Sequence, residues 1–292
     1  MGNSNSTTNS KNDHSRLYRM VRTKSWDKAE QFFQLAGIEE KLRNLRYLRR
    51  KTIPSGETRY TPVLSLAIAL GAPIGLIREM ILVGGKRVVM MTDSKGNTAL
   101  HMACQYESPA PIVNLLIDVG GRELVGAKSS SNSTALIWIC NAGMVVKMRL
   151  NDGKGLVPLK KKSALDKHSV AEIVNRMVDI GGRELVMTKD SRNQTALMYA
   201  TTAPGVPDEA VIKLVRVGGK QLLMITNNNR ATALHIALWR QNNNDKQSSE
   251  RTFKTKAIRE MIDVGGVDLV TARAYFLGLT PLHVACSFGA PP

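Results

Sequence analysis

The stretch from Gly181 to Leu197, GGRELVMTKDSRNQTAL, decides how the chain folds, because it occurs five times in altered form. A Gly-Gly pair begins at Gly84, Gly120, Gly181, Gly218 and Gly265, and a Thr-Ala-Leu or Thr-Pro opening follows at Thr98, Thr134, Thr195, Thr232 and Thr280. The interval is 14 residues in four copies and 15 in the last. Two landmarks held at a fixed distance along a chain mark stacked supersecondary units, so each residue is read against its repeat position before it is read for chemistry.

On the N-terminal side of each pair, the positions eight, seven, four and three residues before the first glycine form one apolar stripe of helical period. They are Leu76, Ile77, Met80 and Ile81 in the first copy, Ile173, Val174, Met177 and Val178 in the third, and Ala257, Ile258, Met261 and Ile262 in the last. The spacing predicts a second helix in every unit, ended by the glycine pair, where a left-handed residue costs little. On the C-terminal side, the Thr hydroxyl is a suitable N-cap for a first helix, and a following Pro forfeits no hydrogen bond there. The regular array begins at Thr61, after a Pro54-Ser55-Gly56 turn.

Thr98-Ala-Leu-His-Met-Ala-Cys, Thr232-Ala-Leu-His-Ile-Ala-Leu and Thr280-Pro-Leu-His-Val-Ala-Cys resemble the opening of the ankyrin repeat, Thr-Pro-Leu-His-x-Ala. Lys189-Asp190 with Asn193-Gln194-Thr195 resembles its finger. The resemblance covers Thr61 to Ala290 and implies an all-α, ankyrin-like helix-turn-helix solenoid with β-hairpin or loop fingers. Two departures stand out. The interval from glycine to Thr is about two residues longer than the family's, which predicts distorted fingers or an extra turn at Glu-Leu-Val. The third unit has Ile137, Trp138 and Ile139 in place of His-x-Ala, so its first helix packs differently.

From Thr to the next glycine the distances are 23, 22, 47, 23 and 33 residues. Because the glycine-to-Thr interval is constant, the extra residues fall between the two helices of a unit, near 145–168 and 241–252. Residues 1–15 read as a disordered tail and 16–60 as a basic, helical capping region with Ser25 as an N-cap, Ile38 to Arg50 as its third helix and a polar outer face. The last repeat, from Thr280, is incomplete: its second helix is supplied by another molecule, or the chain is truncated.

The net charge of +17 is uneven. Residues 1–60 hold 13 Lys/Arg against 6 Asp/Glu, and residues 145–168 hold 7 against 2. Basic character therefore belongs to two local segments, the second of which includes Lys160, Lys161 and Lys162. The Met-Gly start with Ser6 fits N-myristoylation at Gly2; one acyl chain anchors weakly, and Lys11, Arg16, Arg19, Arg22 and Lys24 could add attraction to an anionic inner leaflet. The apolar run Tyr60 to Ile77 contains Pro62, Gly71, Pro73 and Gly75 and reads as two short helices, not a membrane span.

Candidate chemistry does not survive the repeat register. His101, His235 and His283 share one offset from their Thr, and Cys104, Cys140 and Cys286 share another; recurrence reads as scaffold and core, not as ligands or nucleophiles. In ankyrin-like units this His helps to fix the finger by hydrogen bonding. No catalytic residues, metal or cofactor are expected, and three widely spaced cysteines fit a reducing, cytoplasmic compartment. The expected function is a non-catalytic scaffold that binds another protein on the concave face of the array. Finger positions Lys95, Lys128, Lys189, Arg192, Arg230, Arg273 and Tyr275 are the candidate contacts. The alternatives are a myristoylated, polybasic adaptor at a membrane surface and, more weakly, nonspecific nucleic-acid binding through the basic segments.

Overall fold

The computed structural model describes residues 16–46, 51–52, 58–141, 165–239, 254–274 and 278–288. Gly2, the 1–15 tail, Lys160, Lys161, Lys162, Tyr275, most of the segment near 145–168 and all of that near 241–252 lie outside the described residues. The chain divides into two compact units, 1–131 and 132–292.

In the first unit, three helices, α1 (Arg16–Arg22), α2 (Trp26–Leu35) and α3 (Ile38–Leu45), precede the first repeat. They bury Leu17, Val21, Ala29, Phe32, Phe33 and Leu45. The Leu17 N–H at the open end of α1 donates to Oδ1 of the buried Asn44, whose Nδ2 donates to the Glu40 carbonyl. A side chain from α3 thus satisfies an N–H in the first turn of α1, which has no carbonyl of its own helix to bond. Ser25 holds the N-cap position of α2 but makes no capping bond; its Oγ pairs with that of Thr23 instead. The third helix ends at Leu45, short of the expected Arg50, with Arg46 as its C-cap. After the two-residue antiparallel strands β1 (Lys51–Thr52) and β2 (Thr58–Arg59) come the helix pairs α4 (Val63–Leu70) with α5 (Ile74–Val89), and α6 (Ala99–Gln105) with α7 (Ala110–Gly126). Pro62 rather than Thr61 stands at the N-cap of α4: its φ of −59° is helical but its ψ of 148° is not.

The second unit holds α8 (Ala135–Cys140), α9 (Lys167–Val186), α10 (Ala196–Ala200), α11 (Asp208–Leu223), α12 (Ala233–Trp239), α13 (Thr255–Thr271) and α14 (Pro281–Phe288). The apolar stripe is its core: Ile173, Val174, Met177 and Val178 of α9, and Ala210, Val211, Leu214 and Val215 of α11, are all at most 1% exposed. Each buried aliphatic side chain of this kind contributes about 1.5–3 kcal/mol. The fifth copy departs from the pattern: Ala257 and Met261 are buried, but Ile258 is partly exposed and Ile262 is 40% exposed. Cys104 and Cys140 are core as expected, whereas Cys286 on α14 is exposed. No helix among the described residues is long and apolar enough to cross a membrane.

The glycine pair bends the second helix instead of ending it. Gly181 is helical and buried, and a Cβ there would sit 2.5 Å from Leu185 Cδ2. Gly182 takes φ 62° and ψ −158°, a region open essentially to glycine alone and distinct from the left-handed helical cap of the sequence reading. One further helical turn then runs through Arg183–Val186, so the extra turn expected at Glu-Leu-Val is present. The other four pairs repeat this geometry, with second-glycine φ between 57° and 64°. Nothing lies within 4 Å of a Cβ at Gly182, so Gly182→Ala tests the backbone alone. It should destabilise by about 1–3 kcal/mol, read as a lower urea midpoint with native binding surfaces otherwise intact.

Candidate functional site

Each finger is built from the Thr landmark backwards. The residue five before Thr is Asp93, Asp190 or Asn227, and its Oδ1 accepts two backbone N–H groups of its own turn. Asp190 takes those of Arg192 and Gln194 at 2.9 and 2.8 Å; Asp93 takes Lys95 and Asn97; Asn227 takes Asn229 and Ala231. The same residue's own N–H closes the loop on the residue before Thr, as Asp190 does on the Gln194 carbonyl at 2.9 Å. In the last finger, one residue longer, Ala274 N–H closes on the Leu279 carbonyl. Side-chain turns of this type replace a strand ladder, so the fingers are loops, with one isolated bridge, Lys189 to Thr195, among the described residues.

Successive fingers are tied together. In the first unit Ser94 N–H donates to the Tyr60 carbonyl and Ser130 N–H to that of Lys95. In the second, Asn228 N–H donates to the Arg192 carbonyl at 3.3 Å, Asn193 Nδ2 to Asn228 Oδ1 at 2.7 Å, and Asn132 Nδ2 to the Lys189 carbonyl at 2.7 Å.

The histidines complete the helix starts. Thr232 N–H donates to His235 Nδ1 at 3.3 Å, and Thr232 Oγ1 lies 2.8 Å from the same nitrogen. An Nδ1 that accepts leaves the proton on Nε2, which donates to the Leu279 carbonyl of the next finger at 3.1 Å. His101 and His283 make the same pair of bonds to Thr98 and Thr280. The Thr hydroxyl also accepts the backbone N–H three residues on, from His283 where the histidine is present and from Ile137 or Met198 where it is missing. In that fourth unit Tyr199 takes over the bracing: its hydroxyl donates to Asp190 Oδ2 at 2.7 Å, and burial, with Asp190 beside it, raises the phenol's pKa.

The candidate contact residues stand on this frame. Lys95 and Lys128 are exposed on fingers of the first unit; Lys189, Arg192, Arg230 and Arg273 are exposed on fingers of the second. Sequence reasoning named Asp190 only as part of the finger motif and not as its brace, and it missed Tyr199 and Lys254. A signal for the first existed, namely Asp or Asn five residues before Thr in three units; none existed for Tyr199, whose partner is set by the turn. Lys254, which precedes α13, reaches back to donate to the carbonyls of Ala200, the last residue of α10, and of Ala203 beyond it, the latter at 2.8 Å. Burial pulls its pKa down to about 8, and Cys140 and Asp208 partly offset this. Its work is to close a helix end. Cys140 is wholly buried and its thiol is pushed up to about 12, the environment of a packing thiol and not of a nucleophile.

Comparison with known proteins agrees with this geometry. The family model for the ankyrin repeat matches residues 95–124. No curated protein sequence matches the chain. Among solved structures, the ankyrin repeat domain of Bcl-3, described as a unique member of the IkappaB protein family, is 17% identical, with a TM-score of 0.52 and 92% of each chain covered. A chain from the complex of the Bd0816 predatory endopeptidase of Bdellovibrio bacteriovorus with immunity protein Bd3460 is 15% identical, with a TM-score of 0.51, covering 77% of this chain and 91% of that one.

The histidine geometry sets a pH dependence. Burial lowers the His235 pKa, and the carbonyls of Leu279 and Ala272 counter it only in part. Its folded value therefore lies below the unfolded value of about 6.5, so the unfolded chain binds the proton first. Stability should be complete above about pH 6.5 and decline as pH falls below it. Urea titrations at neutral and mildly acidic pH should show a loss that is smaller in His235→Gln.

Proposed function

We propose that this ankyrin-repeat chain is a non-catalytic scaffold that binds another protein through the tips of its fingers. The observation that supports this most is the division of labour within each finger. Asp93, Asp190 and Asn227 are consumed by their own turns, while Lys95, Lys189 and Arg192 project from those turns. A loop already held by its own hydrogen bonds loses little conformational entropy when a partner arrives, which is the general route to affinity by preorganisation. Lys128 of the first unit and Arg273 of the second are further exposed finger cations, and Tyr275 is carried as a contact from its sequence position. Residence in the cytoplasm accords with the free thiols. The titratable groups whose partners are described here serve turns, caps and helix-to-helix ion pairs, which favours binding over catalysis.

The test is affinity capture from native extract with the full chain. An Arg192→Ala/Arg230→Ala variant should lose a captured protein by about ten-fold or more. Removing two outer-helix cations, Arg183→Ala/Lys220→Ala, should leave capture near the starting level. Equal capture by all three proteins would refute the finger surface.

A further inference from the structure

Each outer helix packs on the inner helix of its own unit and on the outer helix of the unit before, as α11 does on α10 and α9. Side chains at fixed repeat positions line that place. The Leu two residues after Thr is 0% exposed at Leu100, Leu136, Leu197 and Leu234, yet 68% exposed at Leu282 of α14. The stripe position three before the first glycine is at most 1% exposed at Ile81, Ile117, Val178 and Val215, but 40% exposed at Ile262 of α13. Ile258, on the same stripe, is partly exposed as well. Among the described residues no helix covers this joint face of α13 and α14, where the earlier units carry an outer helix.

The polar positions around this face supply a second observation. Two residues before the first glycine, Asp179 and Arg216 pair with the residue five before the glycine in the next outer helix, Lys213 and Glu260, at 2.7 and 2.8 Å. Asp263 of α13 holds the same position, is exposed, and has no ion pair among the described residues. Directly after the glycine pair stand Lys86, Arg122, Arg183 and Lys220, but in α13 the residue is Val267, 73% exposed. Lys86 and Lys220 meet the carboxylates of Glu123 and Asp268, and Arg183 the amide of Gln221, each one position further along the next outer helix. The last outer helix thus presents a carboxylate that its register matches with a cation, and an aliphatic side chain where a further repeat of this kind calls for a cation.

We propose that this face of α13 and α14 takes up one amphipathic helix of another protein, with aliphatic residues at helical spacing, a cation that meets Asp263 and an aliphatic residue that meets Val267. The site is separate from the fingers. An apolar stripe laid into a groove is a general mode of helix recognition, and exposed aliphatic side chains grouped inside a polar rim mark a contact surface. Charge and register choose among occupants. A further unit of the same repeat would bring an acid or amide to Val267 and find no cation there. A second copy of the chain would have to supply an outer helix that its own array already packs. A free helix with a cation in the place of Lys213 satisfies both Asp263 and the apolar face.

The probe is a fluorescein-labelled peptide with the sequence Pro207–Met224, which spans α11 and carries Lys213 and the stripe, with Gln221→Leu at the residue that would face Val267. Anisotropy titration against the full chain should show saturable binding. Val267→Lys in the protein should weaken it about ten-fold or more, and Lys213→Glu in the peptide about three- to five-fold. Asp263→Lys should weaken the original peptide and restore the Lys213→Glu one, a rescue that a merely disturbed fold does not give. Arg192→Ala/Arg230→Ala should leave the titration unchanged, so failure of this face and failure of the finger surface are told apart. Absence of saturable binding, or binding indifferent to Val267→Lys and to the charge swap, would overturn the proposal. Sedimentation of the full chain as a dimer that Val267→Lys dissolves would overturn it in favour of a second copy on this face.

Discussion

Packing at the glycine pair governs most of what this chain can be. The first glycine lies under the side chain four residues ahead, so closely that a Cβ at Gly181 would come within 2.5 Å of Leu185. The second has open space around it but a backbone that other residues avoid. One position is fixed by volume and its neighbour by torsion. Together they turn the helix through a set angle and let it resume for a single turn before the finger. Because that turn and the finger are both closed by hydrogen bonds, little slack is left between glycine and Thr. The constant interval is the trace of this, and so is the location of both long insertions between the helices of a unit. The single 15-residue interval takes its extra residue inside the loop that Ala274 and Leu279 close.

Above this frame, polar side chains sort by the job their surroundings leave them. Asp190, Asn227, His235 and Lys254 are spent on backbone groups that would otherwise lie unsatisfied, and Tyr199 on the carboxylate of Asp190. None of them is available for recognition, although a buried lysine with a depressed pKa or a buried histidine would invite a catalytic reading in isolation. Lys189 and Arg192 occupy the same fingers and serve no turn with their side chains. Alternation within one loop of three or four residues separates building from binding more sharply than any boundary between domains.

Much of this could be read from the sequence because it depends on period alone. The Thr landmarks, the apolar stripe and the extra turn after the glycines follow from spacing, and so does the structural role of the histidines. The features that were not legible depend on pairs of residues brought together by the fold. Asn44 closes α1 from 27 residues away, and Lys254 closes α10 from more than 50. Tyr199 reaches Asp190 only because the turn aims both inward. Ile262 and Cys286 fit the repeat pattern yet remain exposed, since position in a repeat specifies a direction for a side chain and not what lies in that direction. The torsion of the second glycine was misjudged for a related reason: glycine in sequence signals freedom, and the choice between left-handed helical and extended ψ is made by where the next turn must go.

The finger tip shows how far that reasoning extends. With the main chain closed by side-chain turns and joined to the neighbouring finger, replacing an exposed residue changes little in the fold, so composition there is free to follow a partner. Most tips use that freedom at positions with ordinary backbone torsions. Arg230 does not, since its place in the turn calls for a residue that accepts positive φ.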